Sequence, residues 1–564
     1  MGIGTVRQLD RVASAMGLLQ EAVPIFERSN SVCQAGVLLL LPSLLSQGLL
    51  KGEAVYGKLK KGYYGLVSTL LILSYMMLSR IKSPEGLKHC KPGEFGKILG
   101  LDRVPEVKCL RGKIAEFVEQ NKAKEFSCNL AQGWIDDELD SAAYFYIDGH
   151  VRVYHGDKAK LTRKYVSREK LCLAGTTEFW VNNELGLPYL VVTGELNEKL
   201  KTVIVEQIIP ELLKLTAGII KKEELQADKN KPRFTIIFDR EAYEPAFFKK
   251  IWEDYRIAVI TYRKAVKDKW ETTEFTSCST KVIGKEIEML LAERKIELSG
   301  MHMREVRKLS EGGHQTSIIT TNEFISTEDI GGKMFSRWSQ ENFFKYMLQD
   351  YAFDKAIEYG IEGIESNKMV VNPSYKDITY KIKKLREKLA RSNARLMQIV
   401  DKNIDAGIDE LKQRLDEHVE LLEKIKAFQK DINEKLSERK KTPYYLALKD
   451  MPEDKRYNKL KTESKLFINT IKMIAYRAET AVANLLIPYF SKADNEIRML
   501  VKEIIACDAD LIPDYKNKTL TIILHSLSTP RANKAVHELC DILNATETVY
   551  PDTELILIYK TLAY

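Results

Sequence analysis

At 564 residues the chain is too long for one hydrophobic core, so three or four domains are expected. A content of 45% hydrophobic and 29% charged residues, with no low-complexity tract, excludes a disordered chain. Lys and Arg exceed Asp and Glu by 87 − 79 = 8, which permits a polyanionic partner without requiring one.

Residues 1–130 read as a helical domain. The first twenty residues mix Arg7, Asp10 and Arg11 with short apolar runs, which is not the pattern of a cleavable signal. Residues 29–50 and 62–79 carry no charge, and a spanning helix needs about 20 mostly apolar residues. Asn30, Gln34, Pro42 and Gln47 interrupt the first run, and Gly62, Gly65, Ser68, Thr69 and Ser74 dilute the second, so a buried helical pair is expected rather than a membrane hairpin. Residues 93–117, "GEFGKILGLDRVPEVKCLRGKIAEF", read as two helices about a tight turn at Gly100, with Pro105 opening the second. As a helix-turn-helix this unit would offer Lys108, Arg111 and Lys113 to DNA, and as a core hairpin it would not.

A second domain is expected over 131–370. From about 140 to 265 the pattern turns to strands: "AAYFYI", "VRVY", "KLCLAG", "EFWVN" and "PYLVVTG", then an amphipathic helix near 196–217. "RFTIIFD", a helix opening near Pro245, and "RIAVITY" form a strand–helix–strand unit that pairs in parallel. Residues 265–325 add further strands, and a helix starts near Ile330. Within 151–170, seven Lys or Arg face two acids, which describes either a solvated loop or a phosphate-contacting face. Residues 371–440 read as a charged helical arm, with Ile404, Ile408, Leu411, Leu415, Val419 and Leu422 at helical spacing and a break at Gly407; it either forms an antiparallel arm or packs on a neighbour. Residues 441–564 read as an α+β domain. The cysteines, at 33, 90, 109, 128, 172, 278, 507 and 540, form no Cys-x-x-Cys pair, which excludes a zinc knuckle and fits a reducing cytoplasm.

Asp148 precedes Gly149, and Asp-Gly is a strong hairpin signal, so a type I′ turn is one reading of Asp148. Asp239 reads as a cap where a strand meets a helix. Both nevertheless sit at the ends of apolar strands, where the carboxyl ends of parallel strands open a crevice. In "MFSRWSQENFFKYMLQDY" (334–351), Arg337, Glu341 and Lys345 recur every four residues and line one stripe of a helix that other apolar residues mark as buried on several sides. Three converging carboxylates suit a pair of hard divalent cations and would repel one another without them, so metal dependence is expected.

The succession "YIDG", "IIFDREAY", "TTN" and "RWSQENFFKY" resembles the DDE transposases of bacterial insertion sequences. More narrowly it resembles the branch with a strand-rich insertion before the catalytic glutamate and a third motif of Tyr, two residues, Arg, three residues, Glu, six residues, Lys. The resemblance spans about 140–350. It implies an α/β fold with a ribonuclease-H-like core and a β-rich insertion at about 265–325, flanked by the helical N-terminal domain, the helical arm and the α+β C-terminal domain. It implies that Asp148, Asp239 and Glu341 are catalytic and hold two Mg²⁺ or Mn²⁺ ions, and that Arg337 meets a DNA phosphate. The motif's Tyr and Lys positions are Met334 and Leu348, and Lys345 stands in for the latter from one turn back. Trp270, at the start of the insertion, either stacks on a flipped base or packs in the core, packing being preferred. The basic run 151–170, with Arg163 and Lys164, gains weight as a DNA-facing surface, whereas His150, His155 and His314 are expected to be structural. The implied protein is a cytoplasmic, nucleoid-associated DNA transposase acting as a homodimer, with no membrane partner. A metal-dependent nuclease without strand transfer and an inactive DNA-binding regulator are the alternatives.

Overall fold

The computed structural model describes residues 6–138, 143–154, 156, 159–166, 169–218, 222–353, 361–362, 369–400, 408–452, 459–491 and 493–562. They divide into two units, one of residues 1–155, 162–359 and 461–564, the other of 156–161 and 360–460.

The first unit opens with α1 (Gln8–Ala15), β1 (Ser29–Val32), a 3₁₀ turn (Ala35–Leu40), α2 (Leu41–Ser46), α3 (Lys51–Tyr56), α4 (Leu66–Leu78), α5 (Pro92–Ile98), α6 (Val107–Glu119) and α7 (Ala123–Asp137). Every residue of α4 is buried, as an uncharged helix with apolar residues on all sides requires. The run 29–50 is not one half of a helical pair: it begins as a strand and continues in short helical turns. No helix among the described residues is long and apolar enough to cross a membrane.

A mixed sheet follows, built from β2 (Tyr144–Val153), β3 (Arg163–Val166), β4 (Leu171–Asn182), β5 (Pro188–Glu195), β6 (Thr235–Phe238) and β7 (Ala258–Tyr262), then β8 (Thr276–Val282), β9 (Lys285–Leu298), β10 (Met301–Leu309) and β11 (Gln315–Thr320). Its order is β3-β4-β2-β6-β7-β11-β10-β9-β8, with β5 also on β4. β2, β4 and β5 are antiparallel neighbours, whereas β2, β6 and β7 run parallel. Parallel strands need crossovers. The first is α8 (Leu200–Val203), a π turn and α9 (Ile209–Leu215), followed by α10 (Lys222–Ala227); the second is α11 (Pro245–Tyr255). The π turn lies just before Pro210, which cannot donate a helical hydrogen bond. Residues 265–325 extend the same sheet, because β11 pairs antiparallel with β7.

After β11 come α12 (Thr327–Ser336) and α13 (Trp338–Tyr351). The second unit comprises β12 (Ile361–Glu362), β13 (Met369–Val371), α14 (Pro373–Val400), α15 (Ile408–Lys441), β14 (Tyr445–Ala447) and β15 (Lys459–Leu460). Its strands pair antiparallel, β12 with β15 and β13 with β14. Gly407 and Ile404 of the expected arm lie outside the described residues.

The chain returns to the first unit with α16 (Glu463–Leu486), α17 (Asp494–Ala506), β16 (Ala509–Asp514), β17 (Thr519–Leu524), α18 (Pro530–Asn544) and β18 (Ile556–Thr561). The expected split between a domain at 1–130 and another at 441–564 does not describe this packing. β1 pairs with β16, forming a sheet of order β1-β16-β17-β18, and α16 is buried along most of its length in the core it shares with α4 and α7.

Candidate active site

The parallel pairing of β2 with β6 ends at Ile147 opposite Phe238, and the next residues on the two strands are Asp148 and Asp239. Equal steps along paired strands point to the same face, so the two acids share one side of the sheet. β2 itself does not end there. It runs on to Val153 against β4, with Asp148 opposite Trp180 and Gly149 opposite Phe179. The expected type I′ turn is therefore absent. A Cβ on Gly149 would lie 3.1 Å from the Phe179 ring, so the glycine serves that ring's packing rather than a turn. Asp148 Oδ1 accepts from Gly149 N–H at 2.8 Å. Asp239 caps the turn Arg240–Ala242, its Oδ1 accepting from Arg240 N–H at 2.7 Å.

The third acid arrives by a different device. α12 ends at Ser336 and α13 starts at Trp338, so Arg337 sits at a joint rather than within the continuous helix expected over 334–351. Phe343, Phe344 and Met347 are buried, as expected of a helix covered on several sides, but Trp338 at its start is exposed. Next to Glu341, the fully buried Gln340 donates from Nε2 to Tyr146 O at 3.2 Å, Trp180 O at 3.1 Å and Asn182 Oδ1 at 2.9 Å. It pins α13 across β2 and β4 beside Asp148. The far end of α13 is held by α16: Lys472 donates to Ala352 O at 3.3 Å, and Tyr351 Oη donates at 2.5 Å to the buried Glu479, which also accepts from Arg80.

Arg337, itself buried, ties the acids together. Its Nη2 donates to Glu341 Oε1 at 2.7 Å, and its Nη1 lies 3.6 Å from Asp148 Oδ2. Burial works against this guanidinium's charge, but Asp148, Asp239 and Glu341 outweigh it and hold the pKa above the ordinary arginine value. Burial also raises Asp148 to about 6, with Arg337 and the Gly149 N–H opposing the rise and Asp239 and Glu241 adding to it.

Tyr262 is a fourth member that the sequence reading missed. β6 and β7 pair with Ile237 opposite Ile260, and continuing that register sets Tyr262 beside Asp239. Asp148, Asp239 and Tyr262 thus form a row across three adjacent parallel strands. The Tyr262 ring lies 6.4 Å from Phe335 and 5.4 Å from the Arg240 guanidinium. Burial raises its phenol above the usual value; Arg337 opposes this, while Asp239 and Glu341 add to it. The signal was available: Tyr262 ends the apolar run of the strand next to Asp239. Met334, at the motif's Tyr position, is instead buried in the core beneath, and Leu348 packs partly buried against the main core.

The donors suit a hard divalent cation, since Asp148, Asp239 and Glu341 offer only oxygen and Asp148 retains its proton most strongly when no cation is near. The simple cluster of three converging carboxylates needs correction, however. Among the described residues no group of three or more His, Cys, Asp or Glu converges as an ion would require, and Glu341 is paired with Arg337.

The expected DNA contacts divide. Lys345 is exposed on α13, one turn beyond Glu341. Arg163 and Lys164 are exposed on β3, and Lys164 Nζ lies 3.9 Å from Glu241, two residues after Asp239. Lys108 is exposed on α6, and Arg111 pairs with Glu85 at 2.5 Å. Lys113 is corrected: it is buried and donates to Lys60 O at 3.0 Å and Glu116 at 3.2 Å, so it does not face DNA. The link between α5 and α6, residues 99–106, is also longer than the turn of about three or four residues in a helix-turn-helix. Trp270 takes the packing role preferred for it rather than stacking on a base. It is buried with Phe275 and Ala292, and the guanidiniums of Arg294 and Arg307 lie 4.5 Å and 4.3 Å from its ring. His150 is buried against Phe344 and Phe353, His314 lies in an exposed turn, and His155 lies outside the described residues.

Comparison with known proteins gives three findings. No curated protein matches the chain. Among solved structures, it is similar to a cryo-EM structure of the piggyBac transposase synaptic complex with hairpin DNA, at 10% identity over 79% of this chain and 76% of that one. The TM-score is 0.25, a value that carries no argument about fold or chemistry. The model of the family described as "Transposase protein" matches residues 2–563, nearly the full length, and the chain therefore belongs to this transposase family.

Proposed function

We propose that the chain is a DNA transposase of the DDE type, cutting strands at the ends of a mobile element and joining the freed 3′ hydroxyls to target DNA. The observation that carries this reading is the row Asp148–Asp239 on adjacent parallel strands, with Glu341 brought to it through Arg337. The sheet supports a ribonuclease-H-like core: antiparallel strands lead into parallel ones joined by helical crossovers, and the acids stand at the carboxyl end of the parallel set. The strands β8–β11, lying between the Asp239 strand and the Glu341 helix, match the insertion that the resemblance implies.

Asp148, Asp239 and Glu341 would hold Mg²⁺ or Mn²⁺, Glu341 after leaving Arg337. A bound pair of such ions supplies charge to the attacking and leaving oxygens of an in-line phosphoryl displacement. The protein's own groups do the rest. Asp148 would serve as a ligand in its ionised form, without the proton that burial favours. Arg337, released from Glu341, offers a planar fork to a phosphate. Tyr262 presents a hydroxyl to the same place, and Arg163, Lys164 and Lys345 ring it with positive charge. Two DNA ends call for two copies of the chain.

One observation favours the DNA-binding regulator as a second reading: Arg337 already occupies Glu341. The test incubates the full chain with DNA bearing the element ends, with Mg²⁺ or with chelator, and compares Asp239→Asn. Strand-transfer joints from the wild type with Mg²⁺ alone, and binding without cleavage by the variant, are expected. Cleavage that survives the substitution or the chelator overturns the assignment, binding without any cleavage by the wild type supports the regulator, and cleaved ends without joints support a nuclease.

A further inference from the structure

The second unit carries a charge asymmetry that the active site does not use. α14 and α15 form an antiparallel hairpin: Arg395 Nε donates to Glu417 at 3.0 Å near one end, and Arg439 lies over the Tyr375 ring at 5.9 Å near the other. The base is clamped where β13 pairs with β14 and where Asn372 donates from its backbone to Tyr444 O at 2.9 Å and from Nδ2 to Pro443 O at 3.0 Å. The buried Ile378 and Ile382 of α14 and Ile425 and Ile432 of α15 mark the faces turned inward.

The charges are divided unequally between the two helices. α15 holds nine Lys or Arg and nine Asp or Glu, so it is neutral, whereas α14 holds eight Lys or Arg against two acids. Lys384, Lys388, Arg391 and Arg395 are spaced four, three and four apart, which puts them on one stripe away from the Ile378–Ile382 face, and all four are exposed. At about 1.5 Å per residue the stripe is about 16 Å long. Duplex DNA presents one negative charge per about 1.7 Å of axis, so such a rod meets several phosphates at once.

We infer that the outer face of α14 binds the phosphate backbone of duplex DNA without reading its sequence. The inference rests on the transposase reading above and names a DNA surface outside the catalytic unit. Charge complementarity selects the occupant. A membrane or partner helix would need an apolar stripe beside the cations, whereas this face carries one exposed aromatic, Tyr380, whose ring already lies 5.7 Å from Lys384 Nζ, among a run of cations. The existing pairs, Lys384 with Glu387 at 2.9 Å and Arg395 with Glu417, are exposed and weak enough for a phosphate to displace.

The test measures full-chain binding to a 30-base-pair duplex of unrelated sequence by fluorescence anisotropy across a salt series. One variant combines Lys384→Gln, Lys388→Gln, Arg391→Gln and Arg395→Gln. A control of equal charge change combines Lys424→Gln, Lys426→Gln, Lys430→Gln and Lys435→Gln on α15. Each lost phosphate contact lowers the slope of log affinity against log salt by about 0.9, so the α14 variant is expected to lose up to about 3.6 while the control keeps the wild-type slope. The single change Arg391→Gln, losing about one, repeats the test with the least risk to folding. If the α14 variants keep the wild-type slope, or the control loses as much, the inference is overturned while Asp239→Asn still decides the catalytic reading. A wild type that fails to bind this duplex overturns the inference, and the element-end assay still decides the catalytic reading.

Discussion

Asp148 is stabilised in its protonated form, so the carboxylate proposed as a metal ligand should weaken the fold when no cation is present. Its folded pKa is about 6 against an ordinary 3.8, with burial as the main cause. In that interval the folded state holds a proton that the unfolded chain has lost, so the stability contributed by the protonated acid is full below pH 3.8 and lost as pH rises through 6. Converted at about 1.4 kcal/mol per tenfold, the ceiling is about 3 kcal/mol. The side chain keeps 23% exposure, and solvent screening trims this to about 2 kcal/mol. Asp148→Asn keeps an oxygen for the Gly149 N–H but does not ionise. In metal-free buffer, urea unfolding should show the variant gaining about 2 kcal/mol on the wild type between pH 4 and pH 7.5. Mg²⁺ should raise wild-type stability at pH 7.5 and leave the variant unmoved. A difference that stays flat with pH, or moves in the wild type's favour as pH rises, refutes the electrostatic account of this residue.

Replacing Gln340 by Ala leaves Tyr146 O, Trp180 O and Asn182 Oδ1 without their donor in a closed core. The cost should be about 2 to 4 kcal/mol in urea unfolding, with cleavage reduced and duplex binding kept, and unchanged stability would show that Gln340 does not anchor the helix. Tyr262→Phe should leave stability within about 0.5 kcal/mol and slow cleavage by about ten- to a hundredfold, the worth of one hydrogen bond to a charged group. A cleavage rate equal to wild type would remove the phenol from the site.

The sequence revealed most where a local pattern met a local rule. The apolar run of β6, Pro245 at the start of α11, and β7 after it forecast a parallel unit, and they placed Asp239 at its tip. The forecast failed where a distant partner overrode local preference. Asp148-Gly149 favours a turn in isolation, but Phe179 and Trp180 on β4 keep it extended and take up the glycine's missing side chain. Gln340 was illegible for the same reason, its acceptor Tyr146 being 194 residues away. Glu479 and Arg80, 399 residues apart, look like ordinary surface charges in sequence and become a pair, with Glu479 buried and Arg80 partly so, only in the fold. Lys113 was judged by residue type, and burial, which type does not reveal, decided its role.

The pairing of β1 with β16 has a consequence for how the molecule is made. Ser29 lies opposite Leu511, so the edge of β1 stays uncovered until β16, far along the chain, has been made. Contacts so far apart along the chain fold slowly, and meanwhile the apolar α4 and the open β1 edge are prone to aggregate. A product terminated before α16 and β16 would lack the partners of both, so early truncation leaves an apolar helix and an open strand edge exposed together.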